Sequence, residues 1–513
     1  MEPYVPKGNK WLIAFTVILP TFIEIMDASV VNVSLPHIQG SLNAGLDEVT
    51  WVLTSYLVSN AIVIPLTGWL SRLLGRKRYL IISIVLFTSS SLICGAAPSL
   101  GSLIFARVIQ GIGGGGLQPL SHAILLESFP PKERGLAMAV FGMGIVLAPT
   151  VGPVLGGWIT DAWSWRWIFY INLPVGILAV LLAILVIEDP PHLKPNRGRV
   201  DYAGLALLCT GLGALQIVLD KGEREAWFES DFIIRLSILA VISLAILVWW
   251  ELRVEDPVVD LRIFKDRTYT LGTAMVFAGF FAFFGGIVLL PLYLQNLLQY
   301  TSFWAGLVLG PGGLASLMIM PITGILMKKG LQSRILVFFG IVIMFFALQM
   351  MSGFNLEADF LSVATPRVVQ AFGLGMFFVP LATSSYANIP QEKMGYATGL
   401  FNLLRNLAGS FGIALSTTLL TQRAQFHQNM LVENITPFDR EFQNMLLTLR
   451  TQELLPQLVG EKGILMFLYR EVIRQAYMLA FNDVFFILSL LVLMILPLPI
   501  LMRPPRVPKP MGH

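Results

Sequence analysis

The sequence predicts an all-α membrane protein with fourteen transmembrane helices, grouped as two pseudo-symmetric six-helix bundles plus a two-helix insert. Three observations carry this expectation. Apolar residues make up 55 % of the 513-residue chain and charged ones only 13 %, against roughly 25 % charged in soluble domains. The apolar residues fall in runs of about 20, the length that crosses a bilayer core. Finally, the chain repeats itself. Arg107-x-x-Gln110-Gly111-x-Gly113-x-Gly115 returns 260 positions later as Arg367-x-x-Gln370-Ala371-x-Gly373-x-Gly375. In the same register Pro130 matches Pro390, Gly135 matches Gly395, Ala137 matches Ala397, Phe141 matches Phe401 and Gly152 matches Gly412. At an offset of 256, Pro65-x-Thr67-Gly68-x-Leu70 and Arg78 match Pro321-x-Thr323-Gly324-x-Leu326 and Arg334. Many secondary transporters are built from two such related halves.

In chain order the first bundle (1–190) has spans near 11–35, 48–70, 79–98, 101–126, 136–160 and 165–188. An insert with its linkers (191–262) adds spans near 202–220 and 232–251 and has no counterpart in the repeat. The second bundle (263–513) has spans near 269–294, 303–327, 333–352, 362–386, 395–421 and 477–501. Residues 422–476 read as a long external loop, with apolar clusters such as Met445-Leu446-Leu447 and Leu465-Met466-Phe467-Leu468 too short to span. An even number of spans puts both termini on one face. That face collects Arg72, Arg76, Lys77, Arg78, Lys132, Arg134, Lys194, Arg197, Arg199, Arg253, Arg262, Lys265, Arg267, Lys328, Lys329, Arg334, Lys393, Arg503, Arg506 and Lys509. The opposite short loops hold only Arg166, Lys221, Arg224 and Arg235, so the positive-inside rule makes both termini cytoplasmic.

Several functions find no support. The net charge of +4 reflects sorting across the membrane, and no basic helix or aromatic–basic platform suggests nucleic acid. Cys94 and Cys209 lie inside apolar segments, so no disulfide framework is expected. The first ten residues are too short and polar for a cleaved signal, and the first span is expected to serve as its own insertion signal. The run Gly113–Gly116 precedes Leu117 rather than Lys and lies within a span, so it is not an ATP phosphate loop. Histidine spacing suggests no metal site, and no nucleophile–base set stands out.

Charges inside a bilayer default to function. The first span carries Glu24 and Asp27, three residues apart on one helical face, with no Lys or Arg beside them. Asp27 lies roughly 24 Å into its span and Arg107 roughly 28 Å into its own, counted from the same face at about 1.5 Å per residue. The two can therefore meet in the outer half of the membrane. There, desolvation favours the neutral acid and a guanidinium favours the carboxylate. A conformational change in their separation would couple movement to a proton; the alternative is a static ion pair. Glu24 either shares that role or contacts a cationic substrate. Arg107 tunes the acids rather than titrating. The second half lacks an acid matching Asp27, so proton handling is expected mainly in the first half, with Arg367 and Arg405 structural or substrate-facing. Gln110, Phe141, Phe281, Arg367, Gln370, Asn402 and Arg405 are the expected lining of a substrate cavity. In the fifth span, Gly142-x-Gly144 precedes Pro149-x-x-Gly152-Pro153-x-x-Gly156-Gly157, a kinked and close-packing surface that suits a contact between rocking halves. The Gly68–Arg78 loop is a topology anchor or a latch.

These motifs resemble the major facilitator superfamily, and within it the 14-span drug:proton antiporter family. Met26-Asp27-x-x-Val30-Val31-Asn32-Val33-x-Leu35-Pro36 is similar to that family's first-span motif. The loop containing Gly68, Ser71, Arg72, Gly75 and Arg76 resembles its cytoplasmic signature, although Ser71 stands where an acid is usual, which would weaken or rewire a latch. Arg107–Gly113 resembles the fourth-span motif, and Gly152, Pro153, Gly156 and Gly157 the motif associated with export. Trp165-Arg166-Trp167-Ile168-Phe169-x-Ile171-Asn172-x-Pro174 and the insert are typical of the 14-span branch. The long loop before the last span looks most like EmrB-type exporters. The resemblance implies a proton-coupled inner-membrane exporter of hydrophobic drugs and toxic compounds, needing no cofactor and working by alternating access. It also implies a periplasmic adaptor (a membrane fusion protein of the EmrA kind) and an outer-membrane channel of the TolC kind. A narrow exporter of an endogenous metabolite or lipid is the alternative; an enzyme is not expected.

Overall fold

The structure, a computed structural model, describes residues 8–190, 200–433, 440, 442–444, 447 and 461–502. The expected basic residues Lys194, Arg197, Arg199, Arg503, Arg506 and Lys509, and Met445-Leu446, lie outside these residues. Among the described residues, fourteen helices are long and apolar enough to cross a membrane. The first six are α1 (Lys10–Ser41), α2 (Trp51–Leu74), α3 (Arg76–Ala96), α4 (Leu100–Ser128), α5 (Arg134–Ala162) and α6 (Asn172–Val186). The insert forms α7 (Tyr202–Lys221) and α8 (Asp231–Glu251). The second set is α9 (Arg267–Leu292), α10 (Ser302–Lys328), α11 (Ser333–Met351), α12 (Phe360–Ser385), α13 (Met394–Glu433) and α14 (Glu461–Met494). No strand occurs among the described residues.

Polar residues just before the apolar runs start several helices. The side chains of Asn9, Ser99, Asp201, Asp266 and Asp359 accept N–H bonds at the first turns of α1, α4, α7, α9 and α12, satisfying donors that a helix leaves open. Prolines persist inside spans, among them Pro149, Pro153, Pro311 and Pro380, where packed neighbours tolerate the kink. Small residues set the closest approaches. A Cβ on Gly111 would lie 2.5 Å from the Tyr56 carbonyl oxygen on α2, and one on Gly113 would lie 2.5 Å from the Phe87 nitrogen on α3. The glycine run therefore lets α4 wedge between α2 and α3.

The two halves meet mainly through α2 against α13 and α5 against α10. These pairs are equivalent under the internal repeat, and repeated glycines make both contacts. A Cβ on Gly68 would lie 2.7 Å from Cα of Tyr396, and one on Gly324 would lie 2.9 Å from Cα of Leu136. Both contacts lie toward the face where α1 begins, here called the terminal face. The halves are shut there.

The insert lies against that seam. Helix α7 packs on both α2 and α13. Lys221 donates to Thr50 Oγ1 at 2.9 Å, and Thr54 donates to Asp220. Gln216 donates to Ser410 Oγ and Trp227 Nε1 to Thr418 Oγ1, both at 2.9 Å. One hairpin thus holds both halves.

The expected loop at 422–476 is corrected at both ends. Residues 422–433 continue α13 and 461–476 belong to α14. At 40 residues, α13 is about 60 Å long, roughly twice a bilayer core, so its far end projects beyond the membrane. The sequence suggested a loop because Arg423, His427 and Gln428 interrupt the apolar run, yet polarity does not stop a helix that leans on a neighbour. Outside the bundle Trp158, Trp163 and Trp167 are more than half exposed or at half and follow one another at 5.5 Å between rings, as in an interfacial aromatic belt.

Candidate functional site

Asp27 sits just past the middle of α1, fully buried, and meets Arg107 of α4, which is equally buried, at 2.5 Å. Its other oxygen accepts from Gln110 Nε2 at 3.0 Å and from Asn172 Nδ2 of α6 at 2.7 Å. Arg107 also donates to Gln110 Oε1 at 2.7 Å and to the Val52 carbonyl at 3.0 Å, while its plane lies 4.1 Å from the Tyr56 ring centroid. Behind them Ser91 of α3 accepts from Asn172 at 3.0 Å and donates to the Phe169 carbonyl at 2.9 Å. A buried charge is tolerable when paired and hydrogen-bonded, and here the remaining lone pairs on Asp27 are used by amides. Every partner comes from the first six helices.

Glu24, one turn earlier, has a separate seat. Its Oε1 accepts from Tyr56 Oη at 3.1 Å and from Asn60 Nδ2 at 3.0 Å, both on α2. Its Oε2 accepts from Gln118 Nε2 of α4 at 2.7 Å. Gly114 makes room: a Cβ there would lie 3.2 Å from Glu24 Cγ and 3.0 Å from Tyr56 Oη. Tyr56 joins the two acids, its hydroxyl on Glu24 and its ring beneath the arginine that holds Asp27.

A polar seam joins α4 to α13 across the halves. Arg405 donates to Gln118 Oε1, and Asn402 Nδ2 lies 2.9 Å from His122 Nδ1. The His122 ring lies 4.0 Å from that of Phe141, inclined at 40°, with Phe378, Tyr386 and Phe401 around it. Arg367 of α12 donates to Gln370 and faces the Phe283 ring at 5.2 Å. Neither Arg367 nor Arg405 has a carboxylate within ion-pair distance among the described residues.

The expected cavity residues are therefore divided. Gln110 belongs to the Asp27 network. Phe141, Asn402 and Arg405 gather at the α4–α13 seam, and Arg367 and Gln370 pair within the second half. Phe281 of α9 is half-buried, and its carbonyl would lie 2.2 Å from a Cβ on Gly412 of α13. The export-associated motif also has a different neighbour from the expected half-to-half contact. Gly152 faces Ser29 and Gly156 faces Val30 of α1, at 2.7 and 2.9 Å from an added Cβ, while Gly157 has nothing within 4 Å. With Pro153 inside the helix between them, these glycines clamp α5 on the Asp27 helix inside one half. The residues of α5 that face the other half lie nearer its start, at Gly135 and Gly142.

On the terminal face, Ser71 turns back to the Thr67 carbonyl at 2.6 Å and lies buried against α13, where a Cβ on Gly395 would be 4.0 Å from its own. Arg72 lies 3.5 Å from Asp256, in the linker that follows the insert, and crosses to the second half at the Tyr396 ring, 5.2 Å away. Gly75 adopts φ +84°, open to glycine, and Asp189 would lie 2.9 Å from a Cβ there. Arg76 pairs with Glu127 inside the first half. Glu133 binds both Lys10 of α1 and Lys328 of α10, adding a charged tie between the halves.

Tyr56, Asn60, Gln118 and His122 escaped sequence reasoning, which searched spans for full charges. Their signal was available: each is an uncharged polar or aromatic group deep in an apolar run, and Gln118 and His122 are four residues apart on one face. Asn172 was noted only within a motif.

Comparison with known proteins bears on this arrangement. The family model described as "Major Facilitator Superfamily" matches residues 17–413. The chain is 37 % identical over 509 residues to "Multidrug export protein EmrB" of Escherichia coli K12, covering 98 % of both chains. It is 40 % identical over 438 residues to the protein of that name from Haemophilus influenzae, covering 85 % of this chain and 86 % of the relative. With "Fatty acid resistance protein FarB" of Neisseria gonorrhoeae it shares 36 % identity over 492 residues, 95 % of each. The solved structure of the human organic anion transporter MFSD10 superposes with a TM-score of 0.60 over 95 % of this chain and 100 % of that one; at 16 % identity the likeness is one of fold.

Proposed function

The chain belongs to the Major Facilitator Superfamily and is a membrane transporter rather than an enzyme; from that premise we propose that it exports hydrophobic drugs and toxic compounds in exchange for protons. It works in the inner membrane with both termini cytoplasmic, by alternating access. The observation that carries the proton part is the burial of two carboxylates on one apolar helix, each held by a separate set of polar groups. Intramembrane acids in such settings mark proton paths. The drug part is supported by relatives named for multidrug export. Alternating access is supported by closure at the terminal face through repeat-related glycines. The energetics are adequate: one proton moving down 100 mV and one pH unit releases about 2.3 plus 1.4 kcal/mol, enough for roughly a 500-fold gradient of a neutral substrate.

Everted vesicles test this. With a proton gradient, wild type accumulates a hydrophobic drug against its gradient and loses it when a protonophore is added; Asp27→Asn, which cannot change charge, fails to accumulate it. Uphill export by Asp27→Asn at the wild-type rate refutes the assignment.

The proposal includes a periplasmic adaptor and an outer-membrane channel. Its support is the projection of α13 and α14, whose ends expose Phe426, Met430, Leu465, Met466 and Tyr469. Cross-linking from Phe426 captures the adaptor if the reading holds; removal of the projection without loss of resistance counts against it. A second reading, a narrow exporter of an endogenous metabolite or lipid, is favoured by one observation: Arg367 and Arg405 are buried with no carboxylate within ion-pair distance among the described residues, as suits an anionic amphiphile. Transport limited to one such compound across a diverse panel selects it.

A further inference from the structure

We propose that Gln118 is a positioning residue through which contact between the halves controls the proton on Glu24. The inference rests on the proton-antiport reading and adds the part that couples charge to movement. Asp27 cannot supply this alone. Arg107, Gln110 and Asn172 sit on α4 and α6 and travel with α1 when the halves rock, so a rigid-body motion leaves their distances unchanged. Glu24 differs. One of its donors, Gln118, is bonded at its other end to Arg405 of the second half.

The amide's orientation follows from chemistry. A guanidinium has only donors, so Gln118 must turn its oxygen to Arg405. Its NH2 then points to Glu24, where it needs an acceptor lone pair. The link therefore favours the carboxylate in two ways: it fixes a third donor and holds a cation one side chain away. When the terminal face opens, α13 withdraws Arg405 and the amide is free to rotate, while Glu24 stays among apolar helices. The neutral acid is then favoured. By reciprocity, a proton arriving on Glu24 weakens the Gln118–Arg405 tie and releases the terminal face. That sign suits antiport: a proton taken from outside unlocks the cytoplasmic face, and its loss inside favours closure again.

The other charged or titratable groups around Glu24 do not duplicate the device. Asp27 lies on the same helix, and Tyr56 of α2 and Arg107 of α4 move with it. His122 is one turn beyond Gln118 and binds Asn402 rather than Glu24. On α5 the ionisable residues Arg134 and Asp161 sit at its two ends, and α6 has none.

The experiment measures the distance between spin labels on Lys132 and Lys329, exposed residues of the two halves on the terminal face, in full-length protein with Cys94→Ala and Cys209→Ala. In wild type, acidification shifts the population toward the long distance. In Gln118→Leu the shift falls about tenfold or more as a population ratio, the order of ordinary coupling between sites. Glu24→Gln stays in the low-pH distribution at every pH. Should Gln118→Leu not fold, Arg405→Leu breaks the same link from the other half, and Arg405→Lys, which can still donate to the amide oxygen, restores the response. A full pH response in Gln118→Leu and Arg405→Leu overturns the inference. So does a response lost in Asp27→Asn but kept in Glu24→Gln, although the antiport reading then survives. Absence of proton-driven drug accumulation by wild type in vesicles sinks that reading instead.

Discussion

Gly68→Ala attacks the closed terminal face at a single atom. The added Cβ would lie 2.6 Å from Cδ1 and 2.7 Å from Cα of Tyr396, about 1 Å short of ordinary carbon contact at roughly 3.5–4.0 Å. The ring can swing aside; the Cα cannot move without α13. Overpacking of this kind costs about 1–3 kcal/mol, and the cost falls only on the state in which α2 and α13 touch. Alanine's helical advantage over glycine, about 1 kcal/mol, is present in both states and cancels. The ratio of open to closed terminal faces should therefore rise about 5–150-fold. Leu136 of α5, half-buried with its Cα against Gly324 in the closed seam, reports it: as Leu136→Cys, with Cys94 and Cys209 replaced by alanine, its labelling by an impermeant maleimide in everted vesicles should quicken with that ratio. Gly324→Ala, whose Cβ meets Leu136 and Gly135 backbone, should act alike because the repeat makes it the same contact. Gly157→Ala, with open space around its Cβ, should change nothing. Equal labelling in wild type and Gly68→Ala, or an equal rise in Gly157→Ala, would falsify the steric account of closure.

Gly152→Val should abolish drug export while leaving the protein in the membrane, because its side chain drives into Ser29 beside Asp27; normal resistance would show that α1 and α5 are not held at this distance. Gln216→Ala combined with Trp227→Phe removes two bonds from the insert to α13, each worth about 1 kcal/mol, and should lower the melting temperature in detergent; an unchanged melt would mean that the insert is not a brace. Outside the spans, the hydroxyl and N–H of Ser362 hold Asp359 below the usual aspartate range. This cap on α12 is fully present above the ordinary aspartate pKa and is lost as pH falls through the lowered folded value. Hydrogen exchange in the first turn of α12 should quicken over that acid range in wild type and show no such dependence in Asp359→Asn.

Much of the fold is legible in the sequence because a bilayer imposes a length and a polarity on every span. All fourteen spans were readable as apolar runs, and the twin arginine motifs announced two related halves. The pairing of Asp27 with Arg107 was accessible from depth along two opposed helices. By contrast, Gln118 and His122 carry no charge and looked like ordinary breaks in an apolar run. Gly152 and Gly156 read as a surface for close approach, but their spacing could not say whether α1 or the other half approached. The outward continuation of α13 was hidden by its polar residues, since helicity there depends on α14 beside it.

What the residues determined alone is which segments lie in the membrane, that they form two copies of one plan, and which charges are buried. Those properties follow from the local cost of placing polar groups in hydrocarbon. Which half each partner belongs to was decided only by tertiary structure: Asp27 is enclosed by its own bundle, while Glu24 reaches Arg405 through one amide. Contacts between residues 287 positions apart in the chain depend on how helices tilt and rotate against each other, and no local pattern encodes that.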